Sequence, residues 1–277
     1  GTKVTYTEGP DPRWGMRAPV REETVITTPS GLTKTVKVSK TVSPEKLSDL
    51  MAFDTITETT DVNGKAYTTV YQADTMTWTS TSPAGRNSYA ETDEQGRITK
   101  LRSDATEPAE IEYDSLGRIE TVQVGTSDIR RYQFGYDSRG YLESVTDPLD
   151  QTTYYINDEL GRTVKTVLPD SREIGFAYDP AGNLTSLTPP GRPSHEFDYT
   201  AVNLLNSYDP PILSDVHNVT TQYAYNLNRE IDLITRPDGQ VIDYVYNEAG
   251  KLSTINLPGS EQIIYTYNET TGKPATL

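Results

Sequence analysis

Tyr113-Asp114-Ser115-Leu116-Gly117-Arg118 sets out a phrase that the chain repeats from Ile111 to Asn268: an aromatic, Asp or Asn, two free residues, Gly, then a long polar residue. Further copies are Tyr136-Asp137-Ser138-Arg139-Gly140, Tyr178-Asp179-Pro180-Ala181-Gly182-Asn183 and Tyr246-Asn247-Glu248-Ala249-Gly250-Lys251. A weaker copy runs Asn157-Asp158-Glu159-Leu160-Gly161-Arg162, and Tyr267-Asn268 carries one inserted residue before Gly272. The Gly positions 96, 117, 140, 161, 182, 203, 229, 250 and 272 lie 21, 23, 21, 21, 21, 26, 21 and 22 residues apart. A period this short means stacked supersecondary units.

Turn chemistry explains the phrase. Asp or Asn at the first corner of a type I turn accepts a bond from the backbone two residues on, and Gly three residues later supplies the positive φ that closes a hairpin through a bulge. Two copies lack the Gly. Asn203 is the next best residue for positive φ. At position 229 an Arg stands instead, and the expectation is that Asn228 takes the left-handed role.

Aromatic pairs two residues apart precede the turns: Phe134/Tyr136, Phe176/Tyr178, Phe197/Tyr199, Tyr223/Tyr225, Tyr244/Tyr246 and Tyr265/Tyr267. That spacing puts both rings on one face of a strand. After the turns, aliphatic residues arrive three apart, as in Leu184 and Leu187 or Leu252 and Ile255. Three is wrong for a regular strand, so a bulge is implied. A second, looser, Pro-rich turn follows, for example Pro169-Asp170, Pro237-Asp238-Gly239 and Pro258-Gly259. The expected fold is all-β: an array of antiparallel hairpin repeats forming a strongly twisted or curled continuous sheet, an open or partial barrel or shell.

At this period, Tyr-Asp-x-x-Gly-Arg resembles the YD repeat of Rhs proteins, of the shell-forming components of bacterial Tc toxins and of the teneurin extracellular barrel. Thr81-Ser82-Pro83-Ala84-Gly85-Arg86, followed by Thr92-Asp93-Glu94-Gln95-Gly96-Arg97, is similar to the lead-in of bacterial members. The likeness runs from about Thr81 to the end and is weaker from Asp54 to Ser80. It implies a secreted or cell-surface wall segment that encloses or displays another domain. Its partners would be other segments of the same larger polypeptide, an enclosed payload domain, and a glycan or protein ligand. The chain is expected to be a piece of that longer protein.

Outside the array, residues 1–53 read as a lead-in and 54–277 as the repeat sheet, the two forming one continuous domain. Residues 1–19 show no periodicity and are expected to be irregular. Val20 to Val42, around Pro29-Ser30-Gly31, reads as a long hairpin with Val36, Val38 and Val42 on one face. Lys34, Lys37 and Lys40 on that strand read as a solvated or edge-protecting feature. Ser43-Pro44-Glu45 before Leu47, Leu50 and Met51 carries helix-start signals.

Composition narrows the chemistry. A net charge of −15 opposes nucleic-acid binding. With no Cys, thiol catalysis, thiolate metal sites and disulfides are excluded. No stretch approaches the roughly 20 apolar residues of a membrane span. His195 and His217 are the only His, and Ser194-His195-Glu196 are strand neighbours whose side chains point to opposite faces. Asp93-Glu94, Asp147/Asp150 and Asp158-Glu159 lack the alternating oxygen ligands of a calcium loop. Asp179-Pro180-Ala181-Gly182 matches the letters of a self-cleaving segment seen in related shells, but it falls in register as an ordinary repeat turn. No catalytic, cofactor-binding or metal residue is assigned, no cofactor is expected, and the chain reads as not an enzyme.

The site residues proposed are structural: Tyr113, Asp114, Gly117, Tyr136, Asp137, Gly140, Asp158, Gly161, Tyr178, Asp179, Gly182, Tyr246, Asn247 and Gly250. Most aromatics read as the sheet's own cross-strand ladder. Trp14 and Trp78 fall outside the repeat register and are the candidate ligand-contacting aromatics.

Overall fold

The computed structural model describes residues 1–43, 53–211, 219–268 and 272–276. Among these, every regular element is a strand. The order begins β1 (Lys3–Asp11), β2 (Gly15–Thr27), β3 (Thr33–Ser43), β4 (Thr55–Val62), β5 (Lys65–Gln72), β6 (Thr77–Thr81), β7 (Asn87–Thr92) and β8 (Ile98–Ser103). It continues with β9 (Thr106–Tyr113), β10 (Ile119–Val124), β11 (Arg130–Tyr136), β12 (Leu142–Thr146), β13 (Thr152–Asn157), β14 (Thr163–Val167), β15 (Glu173–Tyr178) and β16 (Leu184–Thr188). Then come β17 (His195–Tyr199), β18 (Leu205–Asp209), β19 (Thr221–Tyr225), β20 (Ile231–Thr235), β21 (Val241–Tyr246), β22 (Leu252–Asn256), β23 (Gln262–Ile264), β24 (Thr266–Tyr267) and β25 (Pro274–Thr276). The first 23 belong to one antiparallel sheet, and β24 and β25 pair separately. The all-β array read from the repeats is the observed fold. The helix signals at Ser43-Pro44-Glu45 fall almost wholly outside the described residues; Ser43 itself ends β3.

The chain divides into two compact units, Gly1–Phe134 with Thr146–Asp150, and Gly135–Val145 with Gln151–Leu277. In the first, each strand from β1 to β10 pairs with the next, and β10 pairs with β11. In the second, the same meander runs from β13 to β23. Among the described residues, no pairing joins the first strand of either unit to its last, so neither unit is a closed barrel.

The lead-in is regular, contrary to expectation. β1 pairs with β2 from Lys3↔Thr27 to Asp11↔Gly15, with register shifts at Thr7/Glu8 and Gly9/Asp11. Those bulges break the alternation that would have marked Lys3–Asp11 as a strand. The β2–β3 hairpin around Pro29-Ser30-Gly31 forms as read.

The three-residue spacing of the aliphatics is a bulge. Phe176 faces Leu187 and Tyr178 faces Leu184, with a register shift between Ala177 and Tyr178 that leaves Thr185 as the extra residue. The same offset aligns Tyr223 with Ile234 and Tyr225 with Ile231, and Tyr244 with Ile255 and Tyr246 with Leu252. One extra residue per repeat thus converts a spacing of two into a spacing of three without moving the side chains off their common face.

Little of this surface is fully buried. Ile56 is the one buried apolar residue among those described, and no side chain there is completely enclosed. Stability therefore rests on the hydrogen-bonded ladder and on half-buried cross-strand pairs of about 0.2–1 kcal/mol each, not on a central core.

Candidate functional site

The repeat turn is a five-residue frame. Asp114 N–H donates to Arg118 O and Gly117 N–H to Asp114 O, both at 2.9 Å, with Gly117 at φ 81°. Asp114 Oδ1 accepts from Leu116 N and Arg118 N at 2.9 Å, while Oδ2 takes Arg118 Nε at 2.7 Å. Asp93 and Asp158 do the same with Arg97 and Arg162. Asp137 accepts from Arg139 N and Tyr141 N and pairs with the Arg139 guanidinium. Asp179 takes both the backbone and the side-chain amide of Asn183, and Asn247 accepts from Ala249 N and Lys251 N. Gly140, Gly161, Gly182 and Gly250 all stand at positive φ.

These bonds set the local electrostatics. The Arg118 N–H holds the Asp114 carboxyl below its ordinary value, against partial burial and with help from the guanidinium. At Asp93, Asp137 and Asp158 burial is the largest influence and pulls upward, but the hydrogen bonds together outweigh it and the net direction is down.

At the two damaged copies the backbone keeps its shape. Asn203 stands at φ 60°, and its N–H bonds Thr200 O at 3.0 Å. Arg229 itself stands at φ 65°, so the assignment of the left-handed role to Asn228 is corrected. The physical reason is register: the fourth frame position must curl, whatever residue occupies it, and Asn228 N–H is committed to Asn226 Oδ1 at 2.9 Å. Three of the second turns are not looser. Leu168–Arg172, Arg236–Gln240 and Leu257–Glu261 each close with the same first backbone bond at 2.8 Å, and Ser171, Gly239 and Ser260 take positive φ.

One set of contacts escaped the sequence reading. The hydroxyl of the phrase Tyr reaches back to the preceding repeat: Tyr113 to Ile98 O, Tyr178 to Thr163 O, Tyr199 to Leu184 O, Tyr246 to Ile231 O and Tyr267 to Leu252 O, at 2.8–3.1 Å and always 15 residues back. In the weaker copy, Asn157 Nδ2 donates to Leu142 O at 2.7 Å over the same 15 residues. Asn157 is thus a functional substitute for Tyr. The long polar residue of the phrase reaches forward. Arg97 stacks 4.5 Å over Tyr113, Arg162 4.8 Å over Tyr178 and Lys251 5.0 Å over Tyr267. Arg162 Nη1 also bonds Asp179 O, and Lys251 Nζ bonds Gly272 O. A Cβ built at Gly117 would lie 2.9 Å from Arg97 Nη1, so this Gly also makes room for its neighbour. The constant 15-residue offset was the available signal.

Trp14 and Trp78 lie at the two ends of one aromatic row in the first unit. The Arg13 guanidinium sits 5.8 Å from the Trp14 ring and 5.3 Å from Phe53. Phe53 lies 6.2 Å from Tyr71, and Tyr71 4.7 Å from Trp78. Beneath Arg13, buried Asp11 accepts from the backbone of Arg13 and Trp14 and from Lys40 Nζ at 2.9 Å. Burial pulls the Asp11 carboxyl up, but Lys40 and the two N–H groups bring it below its ordinary value. The register continues the row across the sheet as Val42, Ile56, Tyr71, Trp78, Ala90, Leu101 and Ala109.

No catalytic arrangement is assembled around His195, whose Nδ1 lies 2.7 Å from Tyr208 Oη and whose ring stacks on that Tyr. His217 lies outside the described residues. Among the described residues no group of three or more His, Asp or Glu is placed to hold a metal, and no helix is long and apolar enough to cross a membrane.

A meander of bulged hairpins, each locked to the one before it by a phrase side chain, defines a YD-type hairpin-repeat protein. The Teneurin YD-shell family matches residues 6–277, and the chain belongs to that family. Two solved structures share the fold. The Tc holotoxin pore of Photorhabdus luminescens, bearing a TccC3 mutation, aligns with TM-score 0.60 at 12% identity over 97% of this chain and 18% of that one. TcdB2-TccC3-TEV aligns with TM-score 0.57 at 13% identity over the same shares. This chain thus spans under a fifth of either structure's chain. No curated protein matches it.

Proposed function

We propose that this chain is a non-catalytic wall segment of a YD-repeat shell, part of a larger secreted or surface protein whose other segments continue the wall around, or display, a payload domain. The observation that carries this reading is the 15-residue tether. The phrase side chains are spent on the neighbouring repeat, Tyr hydroxyl to backbone and Arg over ring, and single-layer strands with half-wet faces suit a wall better than a self-contained core. Eight residue pairs join β3 to β4, which supports treating the lead-in as continuous with the start of the repeat sheet at residue 54. Electron microscopy of a longer polypeptide carrying this chain with flanking repeats tests the reading. A wall enclosing a lumen is expected; a solid particle, or repeats projecting as a ribbon with no lumen, would overturn it.

A second reading, recognition of a glycan through exposed aromatics, is favoured by Trp78. It is 37% exposed yet flanked by Tyr71. Titration with a glycan panel, read by Trp fluorescence, is the test; saturable binding is expected, and a flat response across the panel would remove this reading while leaving the wall.

A further inference from the structure

Two cavities on one face of the first unit meet over a shared floor. One, of about 450 Å³, is lined by Tyr67, Thr69, Arg86 and Asp104; the other, of about 290 Å³, by Trp78, Leu101 and Glu107; Ser80, Ser88 and Ser103 line both. The floor follows from register: Thr69 pairs with Ser80, Ser80 with Ser88, and Ser88 with Ser103, so four hydroxyls stand side by side on one face. Thr69 Oγ1 lies 3.1 Å from Ser80 Oγ, and Ser103 Oγ 2.8 Å from Thr106 Oγ1, which fixes the two ends of the hydroxyl row. Tyr67, Trp78 and Leu101 stand 47, 37 and 40% exposed along the walls.

Resting on the second reading above, we propose that this groove is the binding site, and that it takes a neutral oligosaccharide. The backbone N–H and C=O groups of the floor are committed to the β6–β7 and β7–β8 ladders, so a peptide cannot add here as a strand. What the groove offers is a row of hydroxyls on neighbouring strands and one partly exposed indole. A pyranose presents the matching chemistry: equatorial hydroxyls that both donate and accept, and an apolar C–H face that lies on a ring. Arg86, Asp104 and Glu107 bring both signs of charge to the rim, which favours no anionic or cationic ligand. Trp78 is flanked on its own face by the tilted rings of Tyr71, its cross-strand partner, and Phe53, so little ordering accompanies binding.

The test is calorimetric titration of the whole chain with cellohexaose, maltohexaose, chitohexaose and xylohexaose. At least one is expected to bind saturably. Trp78→Ala is expected to weaken that binding about tenfold. Ser88→Val, which exchanges a floor hydroxyl for a methyl of similar size, is expected to weaken it about fivefold. Tyr154→Ala, an exposed aromatic of β13 in the second unit, is expected to leave it unchanged. Should Trp78→Ala lose its far-UV dichroism, Ser88→Val decides alone. Binding that survives Ser88→Val, or that falls with Tyr154→Ala, would overturn this location while leaving glycan recognition standing; no binding by any of the four sugars would overturn both.

Discussion

Replacing Gly182 by Val isolates the backbone requirement of the repeat turn. Gly182 stands at φ 92°, and a Cβ built there meets nothing within 4 Å, so the expected effect is conformational. A side chain held in the left-handed region costs about 1–2 kcal/mol. Branching at Cβ makes Val a true outlier there, for a total of about 2–3 kcal/mol. Gly182→Asn is expected to cost under about 1 kcal/mol, because Asn tolerates this region and Asn203 already occupies the equivalent position at φ 60°. Asp179→Asn keeps an oxygen to accept the Asn183 N–H, now bonded at 2.8 Å, but sets an amide against Asn183 Nδ2 in place of Oδ2, and is expected to cost about 1 kcal/mol. Native-state hydrogen exchange on the amides of β15 and β16 reads these differences as local opening free energies. If Gly182→Val and Asp179→Asn destabilise equally, or if Val is within about 0.5 kcal/mol of the parent, the turn frame does not depend on positive φ and the reasoning fails.

Three other outcomes follow from the same geometry. Arg229→Gly removes a left-handed penalty of about 1–2 kcal/mol and adds about 0.4–1 kcal/mol of chain freedom in the unfolded state; a net gain of about 0.5–1 kcal/mol is expected by urea titration. Tyr178→Phe deletes the donor to Thr163 O, and exchange protection in β14 is expected to fall by about 0.5–1.5 kcal/mol, with no change in β21 or β22. Because the folded-state carboxyls of Asp93, Asp114, Asp137 and Asp158 all lie below their ordinary value, their stabilisation is complete above the unfolded-state value, near pH 4. It is lost as pH falls through the lower folded-state values. Thermal unfolding followed by dichroism is therefore expected to be flat between pH 5 and 7 and to weaken toward pH 2; a loss centred on pH 6 would exclude these Asp as its cause.

The turn frame was legible because its requirements are local. Asp at one corner and Gly three residues later specify the hairpin from within six residues, and the Leu184/Leu187 spacing specified the bulge before any register was seen. Legibility failed where a partner lies a repeat away. Arg229 takes positive φ because its hairpin imposes it, against its own preference. Asn157 was read as a weakened copy because its letter differs, although its amide reaches the same carbonyl position as a Tyr hydroxyl. β1 was hidden by two bulges that are defined only by pairing with β2. At the groove, Trp78 stood out in the sequence, but the hydroxyl row did not: Ser80, Ser88 and Ser103 become neighbours only through the register of three strands.

The tether between repeats also shows where the array accepts change. Tyr225 reaches Leu205 O at 2.9 Å although 20 residues, not 15, separate them. The additional residues fall in the chain between β18 and β19, and the bond forms regardless. Length variation is therefore compatible with the tether at both kinds of turn: the YD turn from Asn268 to Lys273 holds one residue more than the others, and Tyr267 still reaches Leu252 O at 2.8 Å. Lineages that inherit such an array can be expected to vary the lengths of their connections wherever the hydroxyl still reaches its carbonyl one repeat away.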